Sequence, residues 1–559
     1  MKRLLKNNNY IMILTFVSFF LVVRAFYSFD FLDESFYLAI TDRFWKGSSL
    51  IVDEWHPTQL FFPLLLPLYS FYRCFVPNGD GVFLFFRLIA ILLAYLDAIF
   101  IFYKLQELVK KRNAFFAAAL VMLYCRGNIS GISYYNVYVM AIVTATVCLL
   151  CYNRRRQKKD LLIAGASLAI ATCAMPYFVI ADLLIGIVCI IREKYRELGI
   201  ILLGVLIVAA PYVLYILFTV PGFKQVVDNL PMLLTDEEHT IGWAKMVLSA
   251  CRITLETLTP VGVLWLVASA IYISFRRGQT SIKVLIEVST VLAIAISLYR
   301  IQYVDRPYVI CAGLFVPVVL ELLVYKRECF ACTEGTLVYM AGILASICFV
   351  SGSNVNVDAI STGTVLSLLG VLIILDYYSE GNTILLRFMQ LLCICMVLVC
   401  FGQRILCVAN DAKLRYQTER VECGPAKGLH LAPEKYNQYM AHMEMLQTLQ
   451  SEYENRHTVY LTGAPSWIYV ASKLECGSNS VWGRSVASER FDAYYAINKK
   501  EVPEIIVIGY NGNPVPEPGF DLERFAVGET IYAEYVDKGY QHLWFPYEDV
   551  FLLGSEKND

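Results

Sequence analysis

The sequence predicts an all-α polytopic membrane domain of about 13 transmembrane helices, followed by a small extracytoplasmic α/β domain. Three observations predict it. The 559 residues are 57% hydrophobic and only 17% charged, with a mean hydropathy of +0.54, well to the apolar side of a soluble chain. Apolar runs of about 20 residues recur from Tyr10 to Leu406, each long enough in helix to span a hydrocarbon core about 30 Å thick. Beyond Leu406 the composition turns polar and no such run remains.

The first run, from Tyr10 to Phe29, follows Lys2, Arg3 and Lys6 and has no small-residue cleavage site, so it reads as a signal anchor with a cytoplasmic N-terminus. Further runs begin near Val82, Ala114, Tyr135, Leu161, Tyr177, Gly199, Thr257, Ile282, Tyr308, Gly335, Thr362 and Thr383. The stretch from Leu60 to Tyr72 is apolar but carries Pro63 and Pro67. Crossing there would put Lys110, Lys111 and Arg112 outside, so it is laid along the outer interface or as a re-entrant segment. Leu161 to Ile191 is divided at Pro176, because the basic clusters Arg154–Lys159 and Arg192–Arg196 both face the cytoplasm only if it is two short spans. With these choices the cytoplasmic segments hold about 21 Lys and Arg against about 9 in the outer loops, which orients the chain with its C-terminus outside.

The predicted division is therefore a transmembrane domain over residues 1–405, whose first outer loop spans 29–81, and an extracytoplasmic domain over 406–559. In the first loop, Phe36, Ile40 and Phe44 fall at helical spacing before Gly47, an amphipathic helix suited to a membrane surface. In the tail, Leu431–Asn455 and Ala464–Lys473 read as helices, and Thr458–Leu461 and Glu504–Ile508 as strands. Cys423 and Cys476 could pair there, while Cys329 and Cys332 form a lone CxxC that makes a poor zinc site. The net charge of -1 gives no reason to expect nucleic acid as a partner.

Candidate chemistry clusters at the outer face. The acids Asp33 and Glu34 follow the first span, and Asp53-Glu54-Trp55-His56-Pro57 opens the apolar interfacial segment. A carboxylate on a loop pinned against lipid can act as general base on an acceptor hydroxyl; a solvated loop is the alternative. Arg24, Arg87 and Arg126 all fall near the outer ends of the first three spans, where guanidinium forks suit a phosphate. Their alternatives are snorkelling to headgroups or pairing with Asp97, Asp182, Glu287 or Glu321. Tyr134-Tyr135-Asn136 either line the same outer cavity or join the interfacial aromatic belt. His239, after Asp236-Glu237-Glu238, reads as a solvated acidic turn before it reads as a metal site.

These features together resemble the GT-C superfamily of membrane glycosyltransferases, in particular the protein O-mannosyltransferases and the bacterial enzymes that add aminoarabinose to lipid A. The Asp33-Glu34 pair after the first span, the His56-Pro57 step opening EWHPTQLFFPLLLPLY, and the topology with an outer C-terminal domain carry the resemblance. It implies a polyprenyl-phosphate-linked sugar as donor, an extracytoplasmic acceptor (glycan, lipid or protein) and a site in the plasma membrane of a bacterium. It assigns catalysis to Asp33, with Glu34 beside it, and gives His56 the place of a lysine that meets the donor phosphate. His56 is a weaker phosphate partner than lysine, which leaves that role to Arg24, Arg87 or Arg126, with Tyr135 and Asn136 lining the site. The family's second acid after the third span corresponds to Asn136, so one carboxylate base and an arginine clamp remain, suited to inverting transfer. No metal ligands are assigned, and a divalent metal requirement stays open. A polyprenyl-diphosphate glycan polymerase or ligase, and a transporter or flippase, are the competing readings.

Overall fold

The structure, a computed structural model, describes residues 2–220, 222–234, 242–275, 282–301, 305–324, 330–353, 355–482, 488–510, 513–514 and 528–554. It is 72% helical. Among the described residues, nine helices are long and apolar enough to cross a membrane: Val82–Leu105, Tyr134–Arg155, Tyr195–Thr219, Trp243–Phe275, Ile282–Tyr299, Arg306–Val324, Thr333–Ser351, Val357–Tyr378 and Thr383–Leu406. Asn9–Ala25 and Pro176–Ile191 are shorter apolar helices. The chain is thus a helical polytopic membrane protein. His239 with its preceding acids, and Cys329 of the CxxC, lie outside the described residues.

By internal contacts the chain divides into two compact units. One comprises Met1–Arg24, Leu88–Ala210 and Ile241–Cys407; the other comprises Ala25–Arg87, Pro211–Thr240 and Val408–Asp559.

The first unit is a helical bundle. Pro176 does divide its apolar stretch, into Lys158–Ala174 and Val179–Ile191 with a 3-10 turn between them, because proline lacks the N–H that would continue the ladder. Trp243–Phe275 is broken at Thr259 (φ 65°) before Pro260, so the apolar run predicted from near Thr257 begins its own helical segment at that kink. A tightly packed helix pair joins Phe330–Ser351 to Val357–Tyr378. There Gly342, Gly363 and Gly370 meet opposing backbone so tightly that a methyl on any of them would collide. Without a hydrophobic force between helices in lipid, this close backbone approach is what makes them adhere.

The second unit gathers three distant parts of the chain around one mixed sheet. Its strands are β1 (Glu419–Arg420) and β2 (His430–Leu431), a separate pair, and β3 (Thr458–Thr462), β4 (Glu475–Cys476), β5 (Ile505–Gly509), β6 (Tyr540–Trp544) and β7 (Glu548–Leu553). The five-stranded sheet has the order β4-β3-β5-β7-β6. β3 runs parallel to β4 and β5, and β7 runs antiparallel to β5 and β6. The expected strand–helix–strand of the tail is present as β3, Trp467–Ala471 and β5. The core on one face joins Tyr460, Ile506, Ile508, Tyr535 and Phe551 to Trp55 of the first loop. Trp55 is itself bonded through its backbone N–H to Asn479 O (2.7 Å) and through Nε1 to Asn229 Oδ1 (3.0 Å). Cys423 and Cys476 are free thiols.

Leu60–Tyr72 forms a 3-10 turn, Gln59–Leu64, and a helix of 10 residues, Leu66–Phe75, too short at about 15 Å to cross a bilayer core. The Asp33–Trp45 helix differs from the expected surface helix, for it is buried from Glu34 to Phe44 on every face. Its polar residues are satisfied by protein rather than water: Asp42 takes the Tyr69 hydroxyl (2.6 Å) and Lys46 (2.7 Å), and Arg43 pairs with Glu54 (2.9 Å).

Candidate functional site: an acid loop and a carboxyl pair

In the sheet-bearing unit the sequence from Asp30 to Glu34 turns into the Asp33–Trp45 helix, and Asp30 makes that turn. Its buried carboxylate accepts the backbone N–H groups of Leu32 (3.2 Å), Asp33 (3.0 Å) and Glu34 (3.4 Å), donors that a helix start leaves without partners. Glu34 is buried and held by Arg87 at both oxygens, through Nε and Nη2 at 2.6 Å each. The same guanidinium donates to the carbonyls of Ala25 (2.7 Å), Tyr27 (3.2 Å) and Ser28 (2.8 Å). A guanidinium has five N–H groups, and these five bonds occupy them. Arg87 therefore pairs with Glu34 and not with Asp97, which lies ten residues, about 15 Å, further along its own helix. Asp97 bonds Thr144 (2.6 Å) instead.

Asp33 stands half-buried in the first turn of this helix, where the partial positive charge of the N-terminus favours a carboxylate. Its position is set on both sides: Asp30 holds its backbone N–H, and Glu34 is locked to Arg87 one residue on.

The Asp53–His56 stretch ties the first loop to the tail. Asp53 pairs with Lys500. Glu54 is fully buried and receives Arg43, the backbone N–H of His56 (3.1 Å) and that of Val481 (3.3 Å). Burial pushes the Glu54 carboxyl up, and Arg43 and the Val481 N–H oppose it. His56 is buried edge-on to Phe36, ring centroids 4.6 Å apart. Its Nδ1 accepts the Thr58 backbone N–H (3.2 Å), which puts the imidazole proton on Nε2.

The tail contributes a residue that sequence inspection did not single out. Lys435, from the Pro433–Glu452 helix, lies 4.8 Å from the Phe31 ring, donates to Asn410 O (3.1 Å) and stands 3.7 Å from Asp411. Burial pushes this ammonium down, against the pull of Asp411, Asp30 and Glu34. No motif around it in EKYNQYM marks it; only the fold brings it to the acid loop.

In the helical unit the structure brings together Arg126, Tyr135 and Asn136. The Arg126 guanidinium sits 4.7 Å over the Tyr135 ring, and its backbone N–H bonds Asn136 Oδ1 (3.3 Å). Arg24, buried in the same unit, donates to Cys407 O (3.0 Å). Arg24, Arg404 and Asp305 lie around Cys125. Two acids missed from the sequence complete the corner: Arg126 Nε lies 3.2 Å from Asp358, and Asp305 accepts the Gly127 N–H (3.0 Å). Burial and the neighbouring Asp358 carboxyl, which is within hydrogen-bonding reach, push Asp305 well above the ordinary carboxylate range. A carboxyl so placed is favoured in its protonated form. A signal existed: Asp305-Arg306-Pro307 and Asn356-Val357-Asp358 have the residue types of helix starts.

The same unit carries an apolar groove of about 450 Å³ between its helices, lined among others by Trp243, Leu258, Val309, Tyr339 and Ile360. Among the described residues, no three His, Cys, Asp or Glu side chains are grouped to hold a metal ion.

Fold and site define a membrane-embedded helical protein with acidic polar centres. No family model and no curated protein matches the chain.

Proposed function

We propose that the protein is a glycosyltransferase moving a sugar from a polyprenyl-phosphate donor to an extracytoplasmic glycan, lipid or protein, with inversion at the anomeric carbon. The observation that carries this reading is the presentation of Asp33. Glu34 is buried and bound at both oxygens by Arg87, and its neighbour Asp33 is half-buried in the first turn of a helix. In the reaction the acceptor hydroxyl oxygen attacks the anomeric carbon while its proton passes to the Asp33 carboxylate. The bond from that carbon to the phosphate oxygen breaks, and its electron pair leaves with the lipid phosphate. Cations favour the departure by stabilising the phosphate charge. Glu34, Arg87 and His56 become positioning residues.

The reading includes the topology: about 13 spans, a cytoplasmic N-terminus, and residues 406–559 outside the plasma membrane of a bacterial cell. The test supplies membranes with labelled polyprenyl-phosphate sugars and follows label into acceptor. Asp33→Asn is expected to lose transfer by about 10²–10⁴-fold at unchanged protein level. Wild-type-like transfer in that variant removes the role of Asp33, and movement of lipid-linked sugar across the membrane without covalent product replaces the enzyme with a transporter.

A further inference from the structure

We propose that the outer strand of the sheet, β6, carries a binding site for a neutral saccharide. β6 pairs with β7 and, among the described residues, has no strand on its other side. Alternation along a strand puts Tyr540, His542 and Trp544 on one face, about 7 Å apart in turn. Tyr540 is 37% and Trp544 47% exposed, and the His542 side chain between them is 25% exposed.

The imidazole is the fixed part of this row. It lies flat on Phe551, ring centroids 4.7 Å apart and planes within 7°. Its Nε2 is 2.7 Å from Asp549 Oδ1. Asp549 is buried, and its other oxygen accepts the Tyr510 hydroxyl at 2.7 Å. With Nε2 turned to the carboxylate, Nδ1 is the ring nitrogen left for a ligand. The base is thus oriented from behind by a group that is itself held.

The chemistry of the row selects its ligand. An apolar chain would cover the rings but leave Nδ1 without a hydrogen bond in a dry contact. An anion finds no Lys or Arg in YQHLW, and Asp549 beside the ring disfavours it; a cation meets only Asp549, whose two oxygens are already taken by His542 and Tyr510. A sugar ring offers both things the row asks for: a face of C–H bonds that stacks on Tyr or Trp, and hydroxyl donors at its edge for Nδ1. Tyr and Trp supply such contact at low cost in side-chain entropy. The assignment of this saccharide as acceptor rests on the transferase reading; the binding does not.

The full chain in lipid nanodiscs is titrated calorimetrically with chitohexaose, cellohexaose and mannohexaose. Saturable binding of at least one is expected, weakened about tenfold or more in Trp544→Ala and about threefold in His542→Ala, and kept within about threefold in Trp544→Phe. Since Trp544 is exposed, the melting temperature of Trp544→Ala stays at the wild-type value. Absence of saturable binding to all three sugars overturns the proposal, as does binding that survives both Trp544→Ala and Tyr540→Ala. Self-association through β6 that Trp544→Ala leaves intact assigns the edge to strand pairing and equally overturns it. The transferase reading fails on transfer in membranes, a separate measurement, so the two failures are distinguishable.

Discussion

The acid loop and the Asp305–Asp358 corner confront the same difficulty, carboxyl groups taken out of water, and meet it in opposite ways. In the loop, Asp30 and Glu34 are surrounded by donors: three backbone N–H groups on one and a two-pronged guanidinium on the other. In the corner, two carboxyls have Arg126 and the Gly127 N–H between them. Donors favour the charged form of a buried carboxyl, and a second carboxyl beside it disfavours that form. The loop is therefore built on donors, and the corner sets Asp305 against Asp358.

The largest expected effect tests the first half of that contrast. Arg87→Met leaves Glu34 buried without its partner and strips three carbonyls of their donor. Breaking a buried pair on one side costs about 3–5 kcal/mol, which thermal or denaturant unfolding of the purified protein reads directly. The double variant Glu34→Gln with Arg87→Met should recover part of the loss, because no charge is then stranded. Equal loss in the single and double variants would mean that Arg87 acts through the carbonyls alone.

How much of each centre could be read from the sequence follows from the same difference. Asp33 and Glu34 are neighbours along the chain, so the pair was visible after the first span, and the spacing of Phe36, Ile40 and Phe44 placed it on a helix; Asp30, which holds that helix start, was not singled out. Asp305 and Asp358 are 53 residues apart, and each alone looks like an ordinary helix start. The pairing of Arg126 with Asp358 is a tertiary fact, as is Lys435 at the acid loop. Periodicity located β3 and β5, whose apolar runs are continuous. It passed over β6 and β7, because Gln541, His542, Glu548 and Asp549 interrupt the apolar pattern, and the burial of the two acids on β7 depends on partners elsewhere. The surface helix was misjudged for a related reason. Phe36, Ile40 and Phe44 do form a face, but Asp42, Arg43 and Lys46 on the remainder are paired inside protein.

A smaller effect, confined to one side of the pH scale, tests the corner. Asp305 is raised in the folded state above its unfolded value of about 3.9. Between those two values the folded chain binds more protons than the unfolded one, so stability falls as pH rises through the interval and levels off above it. Asp305→Asn lacks this slope, since its amide can donate permanently to Asp358 in place of the Asp305 carboxyl proton. Melting curves from about pH 5 to about pH 9 should show the variant gaining on the wild type toward the alkaline end. A constant offset between the two would show that Asp305 carries no proton in the folded protein.

The smallest effect comes from the helix starts, which the two centres also build differently. At the corner, the Tyr134–Arg155 helix is begun by Ser133, whose hydroxyl accepts a single backbone N–H, that of Asn136, at 3.2 Å. At the loop, Asp30 serves three N–H groups and receives the Asn410 side chain as well (3.3 Å). Removing a one-bond serine cap costs about 1 kcal/mol, so Ser133→Ala should melt only slightly early, and Ser133→Asp, which keeps an acceptor at that position, should melt near the wild type. Asp30→Ala should cost clearly more, because it frees three backbone donors and the Asn410 amide at once, and the Glu34 N–H among them is buried. Comparable losses in Ser133→Ala and Asp30→Ala would mean that the loop is held by its ion pair and not by its cap, and the contrast between the two centres would then reduce to the count of guanidinium groups.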